Sequence, residues 1–488
     1  MEHKSVIIIG GGMSGIKTAI DLFHGGVEDT LILEARSRLG GRILSKESPS
    51  NNGVVYDLGA SWFHDGLKNP LFEKSKKLGN IDYYFDDGKS AFYSATEDGI
   101  VESWKFDAVV DEFYTYSALT YESDPDKQDM SIKDMWKEYS SQFNDRLNEN
   151  QRKHAPAVIR MWTELWLGES WDQLSAKLSL ERNSMHHLGR NIFIKSGYTK
   201  VLENELNELP KSYRKASIKL EAQVKKIDFS DPKRIKLQLS NGGKEYSCDY
   251  LVVTVPQTVL AITEKDDPQY IEWTPKVPTP ISELIKDLKF SSLGKVVLEF
   301  DECFWPKDFD RFYALTTNFP KVDVNDNGCS ETIIEAWDFP ALFLNFQAIH
   351  NVPALVILTQ RPLSGYIEEL LQRGHSDKVW HIYKPILEKI AKNSQIPAPT
   401  NILCSPWNGE KYSRGSYGTS LVGAEDSAAI VEKFQQGFQN RIRFAGTETM
   451  GDTSSGCVHG AWYSGQREAK AILKSMSSGE KEVLAESR

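Results

Sequence analysis

No run of 18 apolar residues occurs anywhere in these 488 residues, so no segment reads as a membrane-spanning helix. Cysteine is scarce. Cys248, Cys303, Cys329, Cys404 and Cys457 are odd in number, scattered and never spaced C-x-x-C, so neither a disulfide framework nor a zinc site is expected. Positive charge is in deficit: the net charge of -10 argues against a nucleic-acid partner and leaves only a weak attraction for polycations. The chain enters an apolar strand pattern within its first five residues, too soon for a signal peptide, and its polar end, 477–488, lacks a Ser-Lys-Leu address. Internal repeats and low-complexity segments do not stand out. A cytoplasmic, reducing location is the expectation. Charged residues at 26% and apolar ones at 40% are ordinary for a globular protein, and the length allows two or three domains, or two interwoven ones.

The stretch 6–42 carries the strongest signal. The apolar run Val6-Ile7-Ile8-Ile9 passes directly into Gly10-Gly11-Gly12-Met13-Ser14-Gly15, a G-x-G-x-x-G; a helical pattern follows, and a second run, Leu31-Ile32-Leu33, ends in Glu34. Strand, glycine turn, helix, strand and acid in that order predict a dinucleotide site. Gly10 makes the tight turn, Gly12 lets a pyrophosphate approach the backbone, and Gly15 lets helix and strand pack closely. Free N–H groups, Ser14 among the first helical residues, and the positive end of the helix dipole would face the phosphates. Glu34 would accept hydrogen bonds from ribose hydroxyls and repel a 2′-phosphate, which disfavours NADP. Glu34-Ala35-Arg36-Ser37-Arg38-Leu39-Gly40-Gly41-Arg42 adds a second glycine turn, Gly41 included, and three guanidiniums. That suits FAD better than NAD; the alternative is an exposed basic loop.

This E-A-R-x-R-x-G-G-R following G-x-G-x-x-G resembles the flavin-containing amine oxidase family, and the resemblance runs from about Ser5 to Ser475. It implies an α/β fold in which a Rossmann-like FAD-binding domain is interwoven with an α+β substrate-binding domain. That is the two-domain layout of amine oxidases and of glucose-methanol-choline-reductase-like flavoproteins. The expected boundaries give the FAD domain 1–81, 190–256 and 405–475, the substrate domain 82–189 and 257–404, and a polar tail 476–488. Helical patterns are expected over 131–139, 155–166 and 379–390. Strands are expected over 218–227, 234–239, 250–256, 293–300 and 354–358, with a hairpin turn at Asn241-Gly242-Gly243. A final helix opens near Gly456 and runs towards Ala471.

Cofactor contacts implied by the resemblance are Gly59, Ala60 and Ser61 beside the ring, the backbone of Val224 at the adenine, Trp407, the turn Gly446-Thr447-Glu448, and Cys457-Val458 at the last helix. Ser416 stands where monoamine oxidases bond a cysteine to FAD, so FAD is expected to be non-covalent. Lys295, a solvated charge on composition alone, takes on a role beneath the flavin, holding a water near N5. His64, structural in the bland reading, would orient substrate or shuttle protons. Tyr417 would face the flavin, and Trp62 and Trp166 would form apolar walls, although aromatics at helical spacing are more often core. The segment His186-His187-Leu188-Gly189-Arg190-Asn191 places His187 and Asn191 near a substrate tunnel. Asp87, beside Asp86, is either a solvated turn residue or the partner of a distal ammonium. The implied reaction oxidises the carbon beside a secondary amine of a polyamine, spermine or an N-acetylpolyamine, with dioxygen as co-substrate. The protein would be a monomer or homodimer. Thr447-Glu448 matches monoamine oxidases better than the Glu-His of many polyamine oxidases, which puts the amine class in question. A fungal corticosteroid-binding protein on the same scaffold supplies the alternative: an apolar tunnel that holds a steroid without oxidising it.

Overall fold

Val6, Ile7, Ile8 and Ile9 are all buried because strand β1 (Glu2–Ile9) runs through the middle of a sheet. β2 (Thr30–Leu33) lies parallel on one side, Val6 opposite Thr30 and Ile9 opposite Leu33. The Glu245–Val253 strand lies parallel on the other, Val6 opposite Tyr250 and Ile9 opposite Val253. A parallel strand covered on both faces needs an unbroken apolar run, which is why this stretch does not alternate. Ile442–Phe444 joins in parallel beyond Val253, and an antiparallel extension continues through Ile235–Leu239 and Val224–Asp228. The computed structural model describes residues 1–486 apart from 103–105, 181–186, 241–243, 288, 317, 319–320, 325–329, 425–426 and 452–453. The expected Asn241-Gly242-Gly243 turn, His186 and Cys329 thus lie outside the described residues.

One expected strand, 218–227, is two. Ile218–Lys219 pairs with β2 at one edge, whereas Val224–Asp228 belongs to the far side of the sheet. Between them the chain crosses the ends of the parallel strands, tied by Glu221 N to the Arg36 carbonyl and Ala222 N to the Glu34 carbonyl. An alternating pattern specifies a strand but not which edge it joins.

Helix α1 (Met13–His24) starts at Gly12 and packs on the C-terminal helix Val458–Glu486. The approach is close: a Cβ on Gly465 would lie 2.3 Å from the Ser14 carbonyl oxygen, and Thr18 Oγ1 donates to the Gly465 carbonyl at 3.2 Å. That last helix continues well beyond Ala471, taking in most of the segment expected as a polar tail.

A second sheet has the order Asn401–Cys404, Gly294–Glu299, Ala354–Thr359, Ala341–Asn345, Arg311–Leu315, Ser90–Ser94, antiparallel except at its last pair. Helix Glu149–Leu167 covers one face, Val158 and Ile159 clustering with Val297 and Leu344; helix Ser376–Ala391 covers the other, Val379 and Tyr383 clustering with Leu298 and Phe343. The expected helices 155–166 and 379–390 fall within Glu149–Leu167 and Ser376–Ala391, and 131–139 matches Ile132–Phe143 but for its capping residue, Ser131. Ile132–Phe143 starts where the Ser131 side chain accepts the Asp134 N–H, and Glu149–Leu167 where Asn148 and Gln151 form a capping box. The fold is mixed α/β with several sheets, and among the described residues no helix is long and apolar enough to cross a membrane.

Candidate active site

An elongated cavity begins at the C-terminal ends of β1 and β2 and extends to Lys295, Trp62 and Tyr417. Ligands of parallel α/β sheets bind at this end because the strands deliver their following loops there. The glycine turn shapes the cavity's entrance. Gly10 has φ of 109°, a conformation that penalises any side chain, and a Cβ there would meet Thr254 Oγ1 at 2.3 Å. A Cβ on Gly15 would lie 2.1 Å from the Gly10 carbonyl oxygen, so the helix can only leave the turn here without a side chain. A Cβ on Gly12, by contrast, would meet nothing within 4 Å. It would project into open cavity.

Glu34, 3% exposed, closes the second strand. Its Oε2 accepts the Gly11 N–H at 2.7 Å and its Oε1 the Arg36 N–H at 2.8 Å. A carboxylate has about four acceptor positions, so both oxygens retain capacity for ribose hydroxyls. The three arginines beyond it divide their work. Arg36 pairs with Glu410 and bonds Ser413 Oγ at 2.9 Å, and its guanidinium lies 5.3 Å above the Tyr412 ring. Arg42 grips Glu448 through both nitrogens, at 2.5 and 3.1 Å, and donates to the Ser416 carbonyl. Burial alone would raise the Glu448 carboxyl, but the charge and hydrogen bonds of Arg42 outweigh it and hold the group below its ordinary value. Arg38 does not line the cavity and instead donates to the carbonyls of Leu39, Gly41 and Ile43, fastening the second glycine turn.

At the far end, Lys295 is 5% exposed, and its ammonium donates to the Asp57 carbonyl at 2.9 Å, to the Gly59 carbonyl and to Ser61 Oγ. Burial pushes Lys295 down and Asp57 up, each towards its neutral form, and their mutual attraction offsets this only in part. Trp62 lies 5.3 Å from that ammonium. Tyr417 lines the cavity and donates its hydroxyl to the Trp166 carbonyl at 2.5 Å, so Trp166 holds Tyr417 through its backbone while its ring stacks on Trp162. Burial, with Cys457 adding to it, raises the Tyr417 phenol well above its ordinary range. Trp407 is anchored by its indole N–H on the Leu58 carbonyl, 2.8 Å.

His64 and His187 stack at 4.3 Å with nearly parallel rings. His64 Nδ1 contacts Asn191 Oδ1 at 2.9 Å; an amide oxygen accepts, so Nδ1 carries the proton and Nε2 keeps its lone pair. His187 Nδ1 contacts Asp65 Oδ1, and the other oxygen of that carboxylate contacts His459 Nε2 at 3.1 Å. Cys457 Sγ lies within 4.8 Å of ligand atoms of both stacked histidines, but parallel rings aim their in-plane lone pairs side by side rather than at one ion. Burial pushes His64 down to about 3, and the neighbouring His187 and His459 add to this against the opposing Asn191 bond and Asp65. An unfolded histidine takes up a proton near pH 6.5. Stability from neutral His64 is thus complete above about pH 6.5 and falls as pH drops towards 3, because only the unfolded chain binds the proton in that window. Urea midpoints should reveal this: whatever gap separates wild type from His64→Gln at pH 8 should shift against wild type at pH 5. An unchanged gap would place the proton on folded His64.

Most of the residues singled out from the sequence line this one cavity, among them Gly12, Ser14, Glu34, Ala35, Gly41, Ala60, Val224, Gly446, Thr447 and Val458. Gly15 sits behind it, and His187 and Asn191 reach it through His64. Asp87 does not: its carboxylate is half exposed and paired with Arg190 at 2.7 Å, and the more buried member of the acidic pair is Asp86, which accepts the Trp62 indole N–H at 3.0 Å. Adjacent residues at a strand end point to opposite sides, and the sequence does not say which points in. The sequence reading also missed Tyr412, Ser413, Thr254 and Gln257. The last two follow the strand Glu245–Val253, so the rule that ligands gather at the carboxyl ends of parallel strands was the signal for them.

A glycine turn at the head of a helix, an acid ending the next strand and a cavity lined by both ends of the chain define a dinucleotide-dependent oxidoreductase. Comparison with known proteins narrows this: the model of flavin-containing amine oxidoreductases matches residues 13–473, and the chain belongs to that family. Its cofactor is FAD. The residues fit the group, since the cavity lies open at Gly12 and receives the N-termini of two helices, at Met13 and Val458. It also contains two buried polar atoms with no protein partner, Gln257 Oε1 and Arg36 Nε. The chain is similar to a corticosteroid-binding protein of Candida albicans, 34% identical over 97% of each chain. It is 28% identical to polyamine oxidase 2 of Arabidopsis thaliana, over 96% of this chain and 88% of that one. Lysine-specific histone demethylase 1 homolog 1 of Arabidopsis thaliana is 26% identical over 97% of this chain, which spans about half of that protein, 52%.

Proposed function

We propose that this flavin amine oxidoreductase oxidises the carbon next to a secondary amine of a polyamine-type substrate to an imine, which water hydrolyses to an aminoaldehyde and a shorter amine, while dioxygen is reduced to hydrogen peroxide. FAD, when bound, supplies the hydride acceptor and returns the electrons to dioxygen. The observation that carries the reading is the continuity of one cavity from the Glu34 carboxylate to Lys295, Tyr417, Trp62 and His64. The nucleotide half seats the cofactor, which puts its reactive ring among the aromatic residues.

The reacting nitrogen must be neutral to stabilise developing positive charge, and the desolvating faces of Trp62 and Tyr417 disfavour its ammonium form. His64, held neutral, offers a lone pair to the substrate N–H, with His187 stacked behind it and Asn191 fixing its tautomer. Lys295, whose ammonium donates to Ser61 Oγ, would hold a water beside the bound cofactor. The Ser416 hydroxyl donates to the Leu293 carbonyl at 2.8 Å and has no thiol to offer, so FAD is held non-covalently. The two-domain arrangement, a Rossmann-like FAD domain of 1–81, 190–256 and 405–475 and a substrate domain between its parts, belongs to the same proposal, as does a cytoplasmic location.

A second reading has one observation in its favour, the similarity to a protein named for corticosteroid binding. Anaerobic titration separates the two. The purified yellow protein should bleach on addition of spermine or N-acetylspermine and release peroxide on admitting air. A corticosteroid that binds tightly while no amine bleaches the flavin would replace oxidation with binding.

A further inference from the structure

The end of the cavity beside Glu34 is closed by segments that are tied to one another. Ala222 N donates to the Glu34 carbonyl at 2.8 Å, which holds the chain crossing over the parallel strands against β2. The Tyr412-Ser413 turn is gripped from two sides: Arg36 Nη2 donates to Ser413 Oγ at 2.9 Å, and the Thr258 hydroxyl donates to the Ser413 carbonyl at 2.6 Å. The Tyr412 hydroxyl donates to Gln223 Oε1 at 3.3 Å and so joins the turn to the crossing chain. Gln257, next to Thr258, therefore lines the same end of the cavity as Glu34, Ala222 and Ser413. It is 3% exposed, and its Oε1 is buried with no hydrogen-bond partner among the described residues. An enclosed acceptor without a donor is costly, and one that lines a binding cavity is matched when a ligand brings the donor. The same amide carries an N–H2 group beside that oxygen. Arg36 Nε, buried at the same end, is likewise unmatched. The wall thus presents both an acceptor and a donor to what lies there.

We infer that Gln257 reads the base of the cofactor, its side-chain carbonyl accepting a hydrogen bond from the 6-amino group of adenine, and so makes the nucleotide end of the cavity selective for that base. The adenosine half of FAD has few donors to offer: two ribose hydroxyls and the amino group. Glu34, closing the second strand with acceptor capacity to spare, is placed for the hydroxyls, which leaves the amino group for the second acceptor at this end. A glutamine amide also matches adenine in two bonds at once, its oxygen accepting from the amino group while its nitrogen donates to the adjacent ring nitrogen. This selectivity holds whatever the flavin end of the cavity oxidises.

The full chain, stripped of FAD, is titrated calorimetrically with ADP and with the diphosphate of purine riboside, in which hydrogen replaces the 6-amino group. ADP should bind about tenfold more tightly or better, because the analogue leaves Oε1 enclosed and unmatched. Gln257→Met, which keeps the length of the side chain and removes the amide, should bring that ratio to about one. Since Oε1 braces nothing in the chain, the stripped variant should unfold at a urea concentration no lower than stripped wild type. The FAD-loaded proteins give a second measure that needs no stripping: on dilution, flavin fluorescence should show FAD leaving the variant about tenfold faster than wild type. Equal affinity of wild type for ADP and its analogue overturns the inference, and needs no variant to fold. A variant that keeps the wild-type ratio, or releases FAD at the wild-type rate, overturns it as well and confines Gln257 to packing.

Discussion

Gly12→Val is expected to yield a folded, colourless protein. A side chain there collides with nothing in the chain itself, since a Cβ finds no atom within 4 Å, so the apoprotein should unfold at the same urea concentration as wild-type apoprotein. The valine would stand where the cofactor's pyrophosphate must approach the N-terminus of α1. Losing two charge-assisted hydrogen bonds there costs about 3–6 kcal/mol, roughly a hundredfold to ten-thousandfold in FAD affinity. Gly15→Val is the informative contrast. Its Cβ would lie 2.1 Å from the Gly10 carbonyl oxygen, so the turn must distort with or without FAD, and that variant should lose stability as well as colour. Retention of stoichiometric FAD by Gly12→Val would remove the glycine turn from the cofactor site.

That contrast also indicates what the amino-acid sequence made legible. The unit from Val6 to Glu34 is local: a buried run, a turn that needs glycine and a helix start lie within a few residues of one another, and each leaves its own pattern. Lys295 was legible only through the family resemblance: composition alone makes it a solvated charge, and it is the structure that places it in a strand buried throughout, Gly294–Glu299. The histidine assembly left no such pattern. Asp65 is approached by His187 from 122 positions away and by His459 from 394, and only the meeting of the last helix with the segment after Phe63 makes them neighbours. The exchange of roles between Asp86 and Asp87 was hidden for another reason. Which of two adjacent acids turns inward depends on Arg311 and Trp62, contributed by different sheets. A pattern of period two cannot resolve a one-residue choice at the end of a three-residue strand.

Lys295→Met should leave the protein yellow and slow its turnover of amines by about a hundredfold to ten-thousandfold, the range over which a positioned proton donor or acceptor acts. Methionine fills the lysine's apolar stem and removes only the ammonium. The loss removes the ammonium's bonds to the Asp57 and Gly59 carbonyls and to Ser61 Oγ, at about 1.5–3 kcal/mol for each charge-assisted bond, although Ser61 Oγ still reaches both carbonyls, at 3.3 and 3.4 Å. It also removes the positive charge that now draws Asp57 down against its burial, so Asp57 should titrate higher than in wild type. A purely structural lysine predicts a different result: lowered stability with kcat intact in the molecules that remain folded. Lys295→Arg separates the two further, because a guanidinium keeps the charge but cannot place three donors on acceptors arranged for a compact ammonium. The variant with methionine should retain the flavin spectrum, and stopped-flow measurement should locate its defect in flavin reduction or in reoxidation by dioxygen. Wild-type rates in both half-reactions would confine Lys295 to bracing the 57–61 turn beneath the cofactor.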